Sequence, residues 1–366
     1  MPARTAYSTK DLPEAVADLR AQCGPCAPRV VLFFSSARYD ASELSGLMRA
    51  SFPDARLVGC STAGEIAGSA MLSGSVVAMF LDDDLVEDAA VAVVRNLRAG
   101  VHVREALGEI ENQLHAPLSS LDLERTVGVV VADGLSGAEE QLMDKLGDAT
   151  DIRFVGGSAG DDLEFLATHV LVDGREYSDA AVLLLLRLRN GFDIVKTQSF
   201  RPFGKTLLAT KVDESRRMVM EFDHMAALDA YAQALGVAPS EAAARFLRHP
   251  LGLMAEGEPF VRSPQHTEGS SIVFYCQIQE GMELEVLDAT DIVKDTRAAV
   301  EERKAAGAIQ GMIDFQCILR TLQLRDEKRC ERYGEIFHGI PAIGFSTYGE
   351  AYLGHMNQTS TMLLLR

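Results

Sequence analysis

Positive charge is what this chain most conspicuously lacks. Its 366 residues carry 35 Lys and Arg against 53 Asp and Glu, a formal net charge of −18. A surface of that sign repels phosphate backbones and anionic headgroups, which argues against nucleic acid as a partner. Long apolar runs are missing too. The longest, such as Ala180–Leu186, falls far short of the roughly 20 residues that span a bilayer. The first residues, MPARTAYSTKDLPEAVADLR, contain no apolar stretch of the kind that opens a secretion signal. The expectation is a cytoplasmic protein with no direct membrane insertion, which signals through a partner.

Several chemistries lack their residue patterns. The eight histidines form no H-x-x-x-H or H-E-x-x-H pair, which disfavours a mononuclear zinc hydrolase. Of the six cysteines only Cys23 and Cys26 are close, and no second pair stands at metal-ligand spacing. Cys23-Gly-Pro-Cys26 is spelled like a thioredoxin motif. It follows a helix-like stretch, Leu12–Ala21, and precedes a strand, whereas the redox motif follows a strand and opens a helix. The expectation is a turn with free thiols, with redox and metal roles left open. A hydrolase elbow needs Gly-x-Ser-x-Gly, and the chain offers Gly59-x-Ser61-x-x-Gly64 and Gly344-x-Ser346-x-x-Gly349, each one residue too long. No base and oxyanion donors stand at useful spacing around these serines or Cys317, so no enzyme is expected.

What the chain does contain is a repeat. Val58–Ile66 reads VGCSTAGEI, Ile343–Ala351 reads IGFSTYGEA, and Val155–Asp162, VGGSAGDD, is a weaker third copy. Upstream of each lies a buried-strand pattern: Val30–Ser36, Val127–Asp133 and Ile313–Ile318. These begin 28, 28 and 30 positions before their motifs. The first two intervals carry helical patterning at Ala41–Phe52 and Gly137–Leu146; the third, Leu319–His338, is more charged. A strand, about 20 residues containing a helix, and a second strand make a βαβ unit. Another apolar strand follows each motif at Ser75–Leu81, Ala180–Leu186 and Thr361–Leu365. Continuous apolar strands predict sheets covered on both faces. The fold class is therefore α/β: two lobes with mixed, largely buried sheets built from repeated strand–helix–strand units.

Between the second and third copies, Asp193–Gln198, Leu208–Val212 and Met218–Phe222 read as strands, and Ala226–Leu235, Ser240–Leu247 and Thr290–Ala306 as helices. Ile272–Cys276 and Glu283–Leu287 read as a hairpin around Glu280-Gly281. No low-complexity linker interrupts the chain. The division expected is an N-terminal helix and Cys-x-x-Cys turn over 1–28, an N-terminal domain over 29–215 with two repeats, and a C-terminal domain over 216–366 with the third.

Several segments in order resemble the FIST family of intracellular sensory proteins: Arg201-Pro-Phe-Gly204, His249-Pro-Leu-Gly252, Cys317-Ile-Leu-Arg320, Gly344–Glu350 and His355-Met-Asn-Gln-Thr359, together with Gly59–Glu65 and Gly156–Asp161. The resemblance implies a sensor with N- and C-terminal FIST regions. Some stand-alone members bind haem and sense nitric oxide through a partner sensor histidine kinase; others are thought to bind small molecules such as amino acids. The expected cofactor is haem b, ligated by His249, which ends a helical stretch before Pro250 among apolar neighbours, or second by His355, with Arg201, Arg262 and Arg320 near the propionates; the alternative is a haem-free small-molecule sensor. A ligand site is expected around Ser346, Tyr348, Glu350, His355 and Asn357, where polar residues stand densest within an apolar frame.

Overall fold

The computed structural model describes residues 2–255 and 257–366. The first part of the chain supplies strands β1 (Arg4–Ser8), β2 (Val30–Ser36), β3 (Arg56–Thr62), β4 (Glu65–Ala67), β5 (Ala70–Leu72), β6 (Val76–Leu81), β7 (Val86–Arg95), β8 (Thr126–Ala132), β9 (Phe154–Ser158), β10 (Val170–Val172), β11 (Arg175–Tyr177), β12 (Ala180–Leu188) and β13 (Phe192–Gln198), with helices α1 (Glu14–Cys23), α2 (Ala41–Ser51), α3 (Val103–Leu114) and α4 (Glu139–Ala149). The middle supplies β14 (Phe200–Asp213), β15 (Met218–Phe222), β16 (Met225–Ala226), α5 (Ala227–Leu235), α6 (Pro239–Ala242), β17 (Leu251–Ala255), β18 (Glu258–Arg262), β19 (Pro264–Glu268), β20 (Ser271–Phe274) and β21 (Glu283–Ala289). The last part supplies α7 (Ile292–Ala306), β22 (Gly311–Cys317), α8 (Ile318–Asp326), α9 (Cys330–Gly334), β23 (Ala342–Thr347), β24 (Glu350–Tyr352), β25 (His355–Met356) and β26 (Thr359–Leu365).

Local rules explain the elements. Every residue of β2 is buried, as expected for a strand covered on both faces. Asp40 caps α2 by accepting the Glu43 N–H at 2.7 Å. Helix α3 buries Val103, Ala106, Leu107, Ile110 and Leu114, a stripe at helical spacing. Burying a Leu or Ile of such a stripe contributes about 1.5–3 kcal/mol.

The three repeats build three six-stranded sheets of one design, in the orders β1-β6-β2-β3-β10-β11, β7-β12-β8-β9-β24-β25 and β13-β26-β22-β23-β4-β5. In each, the first strand of the repeat pairs in parallel with its motif strand: β2 with β3, β8 with β9, β22 with β23. The strand after the motif returns antiparallel: β6, β12 and β26. The short hairpin that follows each motif joins another copy's sheet. That of copy one pairs with β23, that of copy two with β3, and that of copy three with β9. The exchange is cyclic, so each sheet is completed by its neighbour. One apolar core joins the inner faces of the three sheets, with Phe34 against Phe345 at 4.5 Å between ring centroids.

By contact density the chain forms two compact units. One comprises Met1–Thr197, Thr296–His355 and Ser360–Arg366, and the other Gln198–Asp295 with Met356–Thr359. All three repeats lie in the first, because the exchanged hairpins tie copy three to copies one and two. The second unit is an eight-stranded sheet, β18-β17-β21-β14-β15-β20-β19 with β16 on β15, packed against α5. Two local expectations fail there. Ile272–Cys276 and Glu283–Leu287 do not form a hairpin: β20 pairs β15 and β19, whereas β21 pairs β14 and β17. The Gly281 N–H bonds Ala209 O, turning the connection toward β14. Ser240–Leu247 is not one helix but the single turn α6 followed by a 3-10 turn over Ala243–Arg245.

Cys23 and Cys26 are joined in a disulfide, which corrects the expected free thiols. Helix α1 ends at Cys23, and Gly24 at φ 68° turns the chain back until the two Cα atoms stand 6.1 Å apart, within bonding range. Among the described residues no helix is long and apolar enough to cross a membrane.

Candidate functional site

The three Gly-Ser motifs meet at one junction. The Ser346 N–H donates to Gly64 O at 2.7 Å and the Ala63 N–H to Ser346 O at 3.2 Å, joining copies one and three. The Gly160 N–H reaches Ser61 O at 3.0 Å and the Asp162 N–H reaches Thr62 O at 2.9 Å, joining copies one and two. The Ser158 N–H donates to Gly349 O at 2.9 Å and to Thr347 Oγ1 at 3.1 Å, joining two and three. The glycines are there for contact. A Cβ on Gly156 would stand 1.7 Å from Val130 O, and one on Gly344 would stand 2.2 Å from Asp314 O. The motifs are thus packed backbone against backbone.

Buried acids surround this junction, Glu350 of the expected ligand site among them. Glu65 accepts from Thr62 Oγ1 at 2.5 Å and from Ser75 N and Oγ at 3.0 and 2.6 Å. Burial raises its carboxyl to about 7, against the downward pull of those bonds. Asp161 is held by the N–H groups of Phe165, Leu166 and Ala167 and by the Tyr348 hydroxyl at 2.5 Å. Desolvation, and next the Asp161 contact, push the Tyr348 phenol well above its ordinary range. Tyr348 also stacks on Phe165 at 5.0 Å. Glu350, at the place in copy three that Glu65 has in copy one, is fully buried. Ser61 Oγ accepts the backbone N–H of His169 at 3.0 Å, which gives that serine a structural partner.

A second polar cluster lies on the face of the third sheet turned away from the apolar core. Alternation along β22 puts Ile313, Phe315 and Cys317 on one face, and Asp314 and Gln316 on the other. Helices α8 and α9 bring Arg320, Thr321 and Tyr333 to this second face. Arg320 Nε donates to Gln316 Oε1 at 3.0 Å and Nη2 to Thr296 Oγ1 at 2.8 Å. The Tyr333 hydroxyl reaches Asp314 Oδ2 and Gln316 Oε1, both at 2.9 Å, and Ser360 Oγ donates to Asp314 Oδ1 at 2.6 Å. Ser346 and Thr321 share a hydroxyl bond of 2.8 Å. Burial raises the Asp314 carboxyl to about 6, opposed by Ser360, Tyr333 and the Arg320 charge. Two donors in the cluster, Arg320 Nη1 and Gln316 Nε2, are buried with no hydrogen-bond partner among the described residues.

The structure thus brings Arg320 and Ser346 to one face of the third sheet, Arg320 bonded to Gln316 and Thr296 and Ser346 to Thr321, and it sets Tyr348 and Glu350 at the motif junction. Asn357 and the other basic candidates belong to the second unit. There Arg201 pairs with Asp288 at 2.7 Å, while Arg262 donates to Val261 O at 3.3 Å. His249 Nδ1 stands 3.1 Å from Leu287 O and 3.8 Å from Asp288 Oδ1, its ring edge-on to Phe203. His355 is buried, with Gly349 so close that a Cβ there would lie 2.0 Å from His355 Cε1. Gln316, Thr321 and Tyr333 were missed from sequence. Only the polar Asp314 and Gln316 alternating through an apolar strand hinted at them.

These features define an α/β protein of three interlocked repeats with polar clusters buried beneath helices. The chain belongs to the FIST family: the FIST N domain matches residues 29–225 and the FIST C domain residues 227–352. FIST domains are associated with signal transduction and small-ligand sensing. Over 284 residues, 73% of this chain, it is 25% identical to an uncharacterised protein of Methanocaldococcus jannaschii. The match covers 55% of that protein, so the chain spans about half the length of this relative.

Proposed function

We propose that this chain is a sensory protein whose ligand is a small carboxylate of amino-acid size, held between the third sheet and α8. Arg320 Nη1 and Gln316 Nε2, without a partner among the described residues, carry this reading. Arg320 is 1% exposed. A guanidinium so deeply buried, with a donor left over, is costly by several kcal/mol unless an acceptor completes it. A carboxylate can accept from both groups at once. The Asp314 carboxylate nearby favours a ligand that also carries an ammonium group, and the Ser346 and Thr321 hydroxyls border the same face. Because Ser346 is bonded to Gly64, occupancy would be felt at the motif junction, with Tyr348 and Glu350 next along the chain. Output then passes to a protein partner, a sensor histidine kinase being the one the family resemblance implies.

Thermal unfolding with a panel of the common amino acids and short carboxylates tests this. At about 100 times Kd a ligand should stabilise the protein by about 2.7 kcal/mol. Arg320→Gln, checked for folding by circular dichroism, should lose that response. An equal response in the variant, or no response to any carboxylate, removes the reading.

A second reading is a haem b sensor of nitric oxide, favoured by the bond between His249 Nδ1 and Leu287 O. With Nδ1 held by that carbonyl, Nε2 is the nitrogen that would hold the iron, and a backbone partner on the other nitrogen is usual for a ligating imidazole. Arg201, tied to Asp288 beside it, suits a propionate. When bound, the haem supplies the iron that takes nitric oxide. His355 fits less well, since Gly349 crowds its ring. A Soret band from cells fed haem precursor, lost in His249→Ala and kept in Arg320→Gln, would support haem over the carboxylate. Absence of the band in the natural protein removes haem.

A further inference from the structure

Strand β7 is an edge strand, paired only with β12 among the described residues. Its outward rungs can be assigned. Gln113 Nε2 donates to Val91 O at 2.8 Å, and the Val91 N–H reaches Gln113 Oε1 at 3.2 Å, so the Val91 main chain faces away from β12. Strand periodicity turns Val93 and Arg95 the same way. The Gln113 side chain thus imitates one rung of a neighbouring strand, and Arg56 holds it there at 3.0 Å. Beyond it, the Val93 and Arg95 rungs open into a cleft of about 740 Å³. An open ladder is a template for another extended chain.

The walls of the cleft state what that chain should carry. The even side chains of β7, Ala90, Ala92 and Val94, pack under α3, whose Glu105 and Glu109 line one wall. The odd side chains, Val91 and Val93, pack with the layer that holds Tyr177, and Arg175 and Tyr177 of β11 line the other wall. The Arg95 guanidinium stands 5.1 Å above the Tyr177 ring. A strand laid on β7 would send alternate side chains toward these two walls, one acidic and one basic.

We propose that this cleft is the docking site for an extended segment of a partner protein, added to the edge of β7. Its basic side chains face Glu105 and Glu109, and its acidic side chains face Arg95 and Arg175. Main-chain bonds to Val93 and Arg95 supply affinity, and the alternating charges set the register.

The probe is a fluorescein-labelled peptide of three Lys-Glu repeats, followed by fluorescence anisotropy against the full chain. Saturable binding is expected, with slowed amide exchange at Val93 and Arg95. The same peptide methylated on alternate backbone nitrogens should bind at least about tenfold more weakly in one of its two registers. The exposed double variant Glu105→Lys/Glu109→Lys should weaken binding by a similar factor. No saturable binding, or binding with unchanged exchange at Val93 and Arg95, overturns the proposal. Equal binding to the charge-reversed variant overturns it as well. Self-association of the unliganded chain that Val93→Pro abolishes would make the occupant a second copy, against a partner segment. The exchange measurement needs no variant, so a misfolded Val93→Pro leaves the test decisive.

Discussion

Replacing Glu65 by Gln should flatten the dependence of stability on pH. Burial raises this carboxyl from 4.5 to about 7. The folded protein therefore holds a proton that the unfolded chain has already released between those two values. The stability it contributes is full below about pH 4.5 and is lost as pH rises through 7. A shift of that size corresponds to about 3 kcal/mol, at 1.36 kcal/mol per unit. Gln keeps the shape and does not titrate. Its amide can donate to Thr62 Oγ1, which can turn its own proton to Ser35 O, 3.2 Å away, while the amide oxygen still accepts from Ser75. Unfolding by urea at pH 5 and pH 8.5 is the assay. The natural protein should lose about 3 kcal/mol more than Glu65→Gln between the two, a difference of several degrees in Tm. Taking the difference between proteins cancels the other titrating groups, Asp314 included. Parallel profiles would refute the reasoning, because Glu65 would then be ionised in the fold at both pH values.

Gly156→Ala should cost about 3 kcal/mol or prevent folding, because its Cβ would meet Val130 O at 1.7 Å, whereas Gly108→Ala in α3, with open space around it, should stabilise by about 0.5–1 kcal/mol; urea unfolding separates them. Tyr348→Phe removes the hydroxyl that donates to the Asp161 carboxylate and accepts the Asp161 and Leu163 N–H groups and should cost about 1–2 kcal/mol, with faster limited proteolysis of residues 161–168 as the sign that this loop has loosened. Neither Ser61 nor Ser346 should react with a fluorophosphonate probe, since their hydroxyls are engaged by the His169 N–H and by Thr321; labelling of either would reopen the hydrolase reading.

The sequence alone determined the repeating unit. Period and composition sufficed, because a strand buried on both faces must be apolar throughout, and the turn that follows must be small where backbones touch. Val30–Ser36, Val127–Asp133 and the Ser-Thr-x-Gly-Glu frames were legible for that reason, as was the acidic surface. Tertiary structure alone decided where the repeats go. The hairpins β4–β5, β10–β11 and β24–β25 are three-residue strands or shorter, and their pairing with another copy's sheet has no local signature. The polar network followed the same logic. Asp314 and Gln316 were visible in β22, but the partners that give them meaning, Arg320, Tyr333, Thr296 and Ser360, arrive from α8, α9, α7 and β26. Whether a buried donor is satisfied depends on which elements fold over it, and that is a property of the packed chain, not of the order of its residues.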